Sequence, residues 1–194
     1  MYKLCKTEQS AQRQRQLEQG LLDMMQTVRY DDIMISDLCE RMEIPRKSFY
    51  RYFTGKDGAL HALIDHTILD YGFFSHDVQK GKKRSLQMEL ETFFEFWYSK
   101  KAFLDALQIS GLSGLMIERV MEHSVSESIL PVRLLSGDDF QSRRQVMMFA
   151  VCGLMSMVLR WHHGGFVETV DQMAKMAKRL LDQPLFPAAD VLIS

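Results

Sequence analysis

The stretch EIPRKSFYRYFTGKDG, residues 43–58, combines two patterns within one short helix. Phe49 and Phe53 are four residues apart, the spacing at which side chains share one face of an α-helix. The remaining positions carry long cationic and aromatic side chains, namely Arg46, Lys47, Tyr50, Arg51 and Tyr52. The sequence therefore predicts a helix with a buried apolar stripe and an exposed face rich in hydrogen-bond donors.

Another short helix is predicted just before this one. Leu38 and Met42 have the spacing of its buried residues, and it ends at the apolar turn 43–45. Pro45 suits the start of the next helix, because the N–H that proline lacks would have no partner there anyway. Two short helices joined by a tight turn have the dimensions of a helix-turn-helix motif, whose second helix enters the major groove of DNA.

The exposed side chains of the second helix predict how it would meet duplex DNA. Arg46 and Lys47, near its N-terminus, could donate to guanine O6 and N7. Phosphate contacts are predicted for Tyr50, Arg51, Tyr52 and Lys56, with a further backbone contact from Ser36. The alternative is a solvated helix whose tyrosines pack against the next helix. The apolar turn, the proline and the lysine after FYRYF together favour DNA binding.

Composition limits the classes of protein to consider. The chain has 194 residues, 46% of them hydrophobic, which is enough for one sizeable core or for a small module joined to a larger one. Its net charge is −1, so attraction to nucleic acid must come from a local patch. Residues 41–56 supply that patch, since five basic residues and one acidic residue give +4.

The cysteines and the apolar runs bear on location. Cys5, Cys39 and Cys152 are odd in number and far apart, which argues against a disulfide framework or a zinc site and suits a reducing cytoplasm. The longest uncharged apolar run, 147–159, has 13 residues, fewer than the roughly 18 that a membrane span needs. The N-terminal stretch also lacks the apolar core of a signal peptide. We expect a cytoplasmic protein with no membrane partner.

Helices are predicted throughout the chain. Only four prolines occur, and β-branched alternation over strand lengths is hard to find, so the fold class is all-α. Beyond the two short helices, we predict a first helix over 7–28 and a fourth from the TGKDG segment to before residue 81. Further helices are predicted over 85–100, 102–109, 112–129, 139–163 and 167–182.

The stretch YDDIMISDLCERMEIPRKSFYRYFTGKDGAL, residues 30–60, resembles the DNA-binding end of the tetracycline-repressor (TetR) family of bacterial transcription regulators. The likeness extends from residue 7 to about residue 65. It implies a helix-turn-helix DNA-binding domain over 1–54 and a larger helical effector-binding and dimerisation domain over 55–194. By this resemblance, bases are approached by Arg46, Lys47 and Ser48, and phosphates by Tyr50, Tyr52 and Lys56.

The same resemblance implies a function. It is that of a ligand-responsive repressor that binds a palindromic double-stranded operator as a homodimer, with no cofactor and with an unknown small-molecule effector. Three residues depart from the family's usual pattern. Met34 stands where a Ser or Thr often caps the second helix, Ser36 replaces a frequent arginine, and Lys47 stands where a small residue is common. The departure at Met34 affects how the start of the second helix is capped. Those at Ser36 and Lys47 affect which operator is bound rather than the mode of binding.

The last two long helices predict a dimer interface. Their apolar residues are too abundant for the single stripe of a monomer, and small residues allow close approach of helices. The predicted interface residues are Met148, Cys152, Met155, Ser156, Leu159, Met173, Met176 and Leu180. The alternative is that these helices are internal core. A dimer would place two reading helices on one face of a duplex.

The middle helices are rich in aromatic residues and methionine, which would suit a pocket for an apolar or amphipathic effector. Phe93, Trp97 and Met116 are the candidate effector contacts, and ordinary core is the alternative for each. The six histidines are scattered, so no metal site is predicted.

Two other classes of function stay open at the level of sequence. The fold could serve as a protein-interaction module or coactivator without effector-controlled repression, although retention of Arg46, Lys47 and Lys56 argues against this. Enzyme activity is not expected, because the sequence has no Glu-x-x-His pair, no glycine-rich phosphate loop and no recognisable nucleophile motif.

Overall fold

The computed structural model describes residues 1–80, 85–123 and 140–182. Within these ranges the regular secondary structure is helical, and no β-strand forms. The first helices are α1 (Glu8–Met25), α2 (Ile35–Arg41), α3 (Arg46–Tyr52) and α4 (Lys56–Gln79), with a short 3-10 turn at Tyr30–Asp32. They are followed by α5 (Leu86–Ser99), α6 (Lys101–Ile109), α7 (Ser113–His123), α8 (Phe140–His163) and α9 (Val170–Asp182).

The predicted all-α fold class is confirmed. Most predicted helices agree with the observed ones to within three residues, since hydrophobic periodicity and the positions of glycine and proline mark helices well. The 3-10 turn at Tyr30–Asp32 was not predicted. The helix expected over 112–129 begins at Ser113, and its predicted end lies outside the described residues.

The chain divides into two compact units. The first consists of Met1–Asp70 and Lys100–His123, and in it α1 packs against α2 and α6, while α2 packs against α3 and α6 against α7. Its core is built on the apolar stripe of α1, where Leu17, Leu21 and Met25 are buried. The predicted division into a DNA-binding domain over 1–54 and a larger domain over 55–194 remains a prediction.

Ion pairs join the helices of the first unit. The guanidinium of Arg119, on α7, forms an ion pair with the fully buried carboxylate of Asp65 on α4. Arg15, on α1, pairs with Asp70 at 2.8 Å. A buried charge is stable only when it is paired, so the Asp65 pair fixes α7 against α4.

The second unit comprises Tyr71–Ser99 together with the chain after His123, of which residues 140–182 are described. Here α5 packs along α9 and also contacts α8. Tyr71, Phe93, Phe96 and Trp97 form edge-on aromatic contacts with centroid separations of 5.0–6.3 Å. Such contacts add to the hydrophobic stabilisation of this core.

One helix of the second unit passes a length-and-composition test for a membrane span. Residues Gln145–His163 form a 19-residue stretch with a mean hydropathy of 1.2, and 44% of it is buried inside the protein. The core helix of a soluble protein has the same properties, so this result is weak evidence for a membrane span.

Candidate nucleic-acid interface

The turn between α2 and α3 is a helix C-cap of the Schellman type. The amide of Ile44 donates to the carbonyl of Cys39 at 2.9 Å, and the amide of Glu43 donates to the carbonyl of Glu40 at 3.0 Å. These two bonds satisfy carbonyls at the end of α2 and require a left-handed residue between them. Glu43 occupies that position with φ +52°, although glycine is the usual residue there.

The turn sets where α3 begins. Pro45 is the residue just before the helix, with an extended backbone, and its carbonyl accepts from the amide of Ser48 at 2.8 Å. The start of α2 is less well capped. Met34 precedes it and makes no side-chain capping bond, while the hydroxyl of Ser36 donates to Asp37 at 3.0 Å. The motif is therefore fixed more firmly at its turn than at its entry.

The faces of α3 divide as the sequence predicts. Phe49 and Phe53 are fully buried, with ring centroids 5.1 Å apart. Four of the predicted DNA contacts are exposed, namely Arg46, Lys47, Tyr50 and Arg51, whereas Ser48 and Tyr52 are half-buried. The burial of the phenylalanines therefore fixes which side chains the helix presents to solvent.

The exposed face of α3 carries positive charge that the fold does not neutralise. Among the described residues, none of Arg46, Lys47 and Arg51 is paired with a carboxylate, and α3 itself contains no acidic residue. Their donors are free to bind an anion from outside the chain. The arrangement suits the acceptor-rich backbone and major groove of DNA.

Lys56 has a different position from the other predicted contacts. Its ammonium donates to the carbonyls of Tyr30, Asp31 and Ile33 at 2.7, 3.1 and 2.8 Å, and lies 4.4 Å from the centroid of the Tyr30 ring. An ammonium has three N–H donors, so all of them are used inside the protein. Lys56 thus anchors the start of α4 to the 3-10 turn, a role for which the local sequence carries no signal.

Tyr30, in that turn, makes two further hydrogen bonds that hold the turn in place. Its hydroxyl donates to Asp57 at 2.5 Å, and its backbone amide donates to the hydroxyl of Ser110 at 3.0 Å. Burial, followed by the hydrogen bond to Asp57, raises the pKa of Tyr30 well above its usual range. Tyr30 therefore stays neutral at physiological pH and links α4 to the end of α6.

The N-terminal segment 1–5 lies against the end of α3, which sequence reasoning missed. Tyr2 forms a β-bridge with Phe53, and the amide of Lys3 donates to the carbonyl of Tyr52 at 3.0 Å. The ammonium of Lys3 reaches the carbonyl of Tyr50 at 3.4 Å. The segment thereby extends the contacts of α3 and adds a cation beside it.

The phenol of Tyr2 lies near the buried acid of α4. Burial, and then the charge of Asp65, raise the pKa of Tyr2 to about 12. The ring also packs edge-on against His66, with centroids 5.5 Å apart. A substitution of the Tyr2 side chain would therefore disturb the surroundings of Asp65 and the contact with His66.

The candidate effector residues are all buried, but the structure does not bring them into one unit. Phe93 and Trp97 belong to the second unit, and Met116 belongs to the first. The indole N–H of Trp97 is buried without a hydrogen-bond partner among the described residues. Most buried polar groups in proteins are paired, so this N–H calls for an explanation.

The eight predicted dimer residues fall into two sets. Met155 and Met173 are buried in the core of the second unit. The other six are half-buried or exposed, with Met176 and Leu180 48% and 46% exposed. Among the α8 side chains that the structure describes, the most exposed apolar one is Phe149, at 67%. It was not predicted, although it is one residue from Met148 in an apolar run.

Comparison with known proteins adds information about the fold. No family model matches the chain, and no curated protein matches it. Solved structures share its fold, and three of them are regulators by name. The dihydroxyacetone kinase operon activator DhaS has 14% identity and a TM-score of 0.57, over 87% of this chain and 93% of that chain. A protein from Pseudomonas aeruginosa PAO1, provisionally named a transcriptional regulator, has 13% identity and a TM-score of 0.59, over 91% of each chain.

The third similar structure is the fatty acid degradation regulator FadR from Bacillus halodurans. It has 13% identity and a TM-score of 0.56, over 93% of this chain and 98% of that chain. Identities this low show a shared fold and do not transfer a function. The helical architecture is therefore common to all four proteins.

Proposed function

We propose that the chain is a sequence-specific DNA-binding transcriptional regulator of the TetR type, acting as a homodimer on a palindromic operator. The observation that carries this proposal is the two-sided character of α3. Phe49 and Phe53 hold the helix to the core, while Arg46, Lys47 and Tyr50 face outward without carboxylate partners among the described residues. A helix buried only for stability has no need of such a face.

Residue roles follow from position on the helix. Arg46 and Lys47, in the first turn of α3, are assigned to base edges, with Ser48 beside them. Tyr50, Arg51 and Tyr52 are assigned to phosphates, with Ser36 from the start of α2. Lys56 contributes its positive charge, while its three donors hold the 3-10 turn in place.

Selection of binding sites from a random duplex library tests the proposal while the operator sequence is still unknown. The expected result is enrichment of a palindrome whose half-sites are separated by about one helical turn, since two symmetric reading helices would meet the same groove face. Repeating the selection with Lys47→Ala should relax the preference at one position of each half-site. Recovery of unrelated sequences with no consensus would contradict sequence-specific binding.

The homodimer is proposed to form through the outer faces of α8 and α9. Phe149, Met176 and Leu180 are large apolar side chains left exposed by the core of the second unit, and such exposure favours association. Four other predicted interface residues lie on α8 together with Phe149, namely Met148, Cys152, Ser156 and Leu159. A four-helix bundle of two copies would cover this surface.

Sedimentation equilibrium tests the interface directly. Phe149→Glu should convert a dimer to a monomer, because it places a charge within the covered surface. Phe73→Glu, at a similarly exposed phenylalanine on α4, is the matched control and should leave the mass unchanged. A monomeric wild-type protein, or equal effects of the two substitutions, would contradict this interface.

We also propose that a small apolar or amphipathic effector controls DNA affinity by favouring a dimer whose reading helices no longer match the operator. The indole N–H of Trp97, beside Phe93, has no partner within the part of the chain that the structure describes, and this supports an effector that carries a hydrogen-bond acceptor. Trp97→Phe keeps the aromatic bulk and removes the donor. It should weaken effector-induced release from DNA while leaving effector-free binding intact, and unchanged release would exclude this contact.

A further inference from the structure

An open polar cleft of about 500 Å³ lies beside the C-terminal end of α3, within the first unit. One wall is the first half of α1, and the other is the end of the reading helix. The lining residues are Gln9, Gln12, Arg13, Gln16, Arg51 and Tyr52, with Ser10. Two of these side chains are cationic and none is acidic, so the lining of the cleft carries positive charge.

The α1 wall of the cleft is one continuous face of the helix. Positions 9, 12, 13 and 16 follow the i, i+3, i+4, i+7 spacing, and all four side chains are exposed. The buried polar residues of α1 are elsewhere: Gln14 accepts from Cys5, and Glu18 contacts His66. The polar residues on the inner side of α1 therefore contact other parts of the fold, whereas residues 9, 12, 13 and 16 line the cleft.

The two arginines of α1 differ in the same way. Arg15 is neutralised by Asp70 at 2.8 Å. Arg13 instead donates to the neutral amide oxygen of Gln16 at 3.0 Å, which orients the guanidinium and leaves its full charge in place. Across the cleft, Arg51 has no carboxylate partner among the described residues. Arg13 and Arg51 thus form a pair of cations available to one ligand.

We infer that this cleft holds the phosphodiester backbone of duplex DNA beyond the base pairs that α3 reads, with Arg13 as its main cationic contact on α1. The inference rests on the proposed function, because Arg51 and Tyr52 already belong to its phosphate-binding set. A phosphodiester offers only acceptors and one negative charge per phosphate, which match guanidinium and amide N–H donors. A strand that meets Arg51 and Tyr52 would enter the cleft and pass α1.

The test uses labelled duplex DNA of arbitrary sequence, because phosphate contacts do not depend on base sequence. Affinity is measured by fluorescence anisotropy at several salt concentrations for wild type, Arg13→Gln, Arg13→Lys and Arg51→Gln. Arg15→Gln, which removes the same charge from the same helix, is the matched control. Circular dichroism confirms that each variant is folded.

Loss of one phosphate contact should reduce the slope of log K against log salt by about 0.9 per protomer, and weaken binding about tenfold at low salt. We expect this for Arg13→Gln and for Arg51→Gln. Arg13→Lys should keep most of the slope, since the charge remains. Arg15→Gln should match wild type.

The outcomes separate this inference from the function it rests on. If wild type binds no duplex at any salt concentration, the proposed function fails. If wild type binds and Arg51→Gln lowers the slope, but Arg13→Gln behaves like Arg15→Gln, only the cleft inference is overturned. Inorganic phosphate that raises the melting temperature of wild type and not of Arg13→Gln, with an unchanged DNA slope, would make the cleft a small-anion site instead.

Discussion

The cap at Glu43 gives a prediction whose size follows from the backbone. Glu43 is the left-handed residue of the turn that joins α2 to α3, with φ +52°. In this conformation the Cβ of an L-residue is crowded, at a cost of roughly 1–2 kcal/mol. Glycine removes that cost but loses about 0.5–1 kcal/mol more backbone entropy on folding. Glu43→Gly should therefore raise the free energy of unfolding by about 0.5–1 kcal/mol.

Chemical denaturation at fixed protein concentration measures this gain, which corresponds to a rise in Tm of about 1–4 °C for a chain of this length. Glu43→Ala is the control, because it removes the carboxylate and keeps the crowded Cβ. A second control reverses the change: Gly111 occupies the same position after α6, with φ +70° and open space around it. Gly111→Ala should destabilise by about 1 kcal/mol.

The comparison of Glu43→Gly with Glu43→Ala separates a backbone effect on stability from a charge effect. If both variants gain the same stability, the effect comes from removing a carboxylate at the negative C-terminal end of α2, and a backbone origin is refuted. Glu43→Gly being less stable than wild type would refute it as well. DNA affinity should rise slightly in both variants, because both remove the one acidic residue that lies between α2 and α3.

Two further substitutions test contacts that hold the reading helix in place. Lys56→Met should lower the free energy of unfolding by about 1.5–3 kcal/mol, since charged donors to three carbonyls are lost; reduced DNA affinity at unchanged stability would instead assign Lys56 to phosphate. Gly58→Ala should displace segment 1–5 and cost about 1–3 kcal/mol, because a methyl group there would overlap the Met1 carbonyl. Gly55→Ala, with open space at its Cβ, is the control, and equal amide exchange of Lys3 in both variants would contradict the docking.

The sequence predicted the helices and the two-sided α3 because both depend on local spacing. Phe49 and Phe53 are four residues apart, and that spacing alone decides which neighbours are exposed. The left-handed cap at Glu43 was not predicted, because glycine is the residue that usually indicates such a cap. The left-handed conformation of Glu43 is evident from the hydrogen bonds of the turn, and it could not be predicted from the type of residue at position 43.

Contacts between distant parts of the chain were beyond sequence reasoning. Nothing in the sequence MYKLC indicates that Tyr2 pairs with Phe53, since this pairing depends on how α1 packs in the folded protein. The three carbonyls that hold Lys56 are likewise 23–26 residues away. On α8, periodicity showed an apolar helix but left its rotation undetermined, which is why Phe149 was missed.

Whether the outer face of α3 reads DNA can be decided by one binding measurement. Fluorescence anisotropy would compare wild type with Lys47→Ala on the selected duplex and on a scrambled duplex of the same length. We expect wild type to prefer the selected duplex, and Lys47→Ala to lose about 1–3 kcal/mol of binding free energy on it with a much smaller loss on the scrambled one. Equal wild-type affinity for the two duplexes, or an unchanged preference in Lys47→Ala, would contradict this expectation.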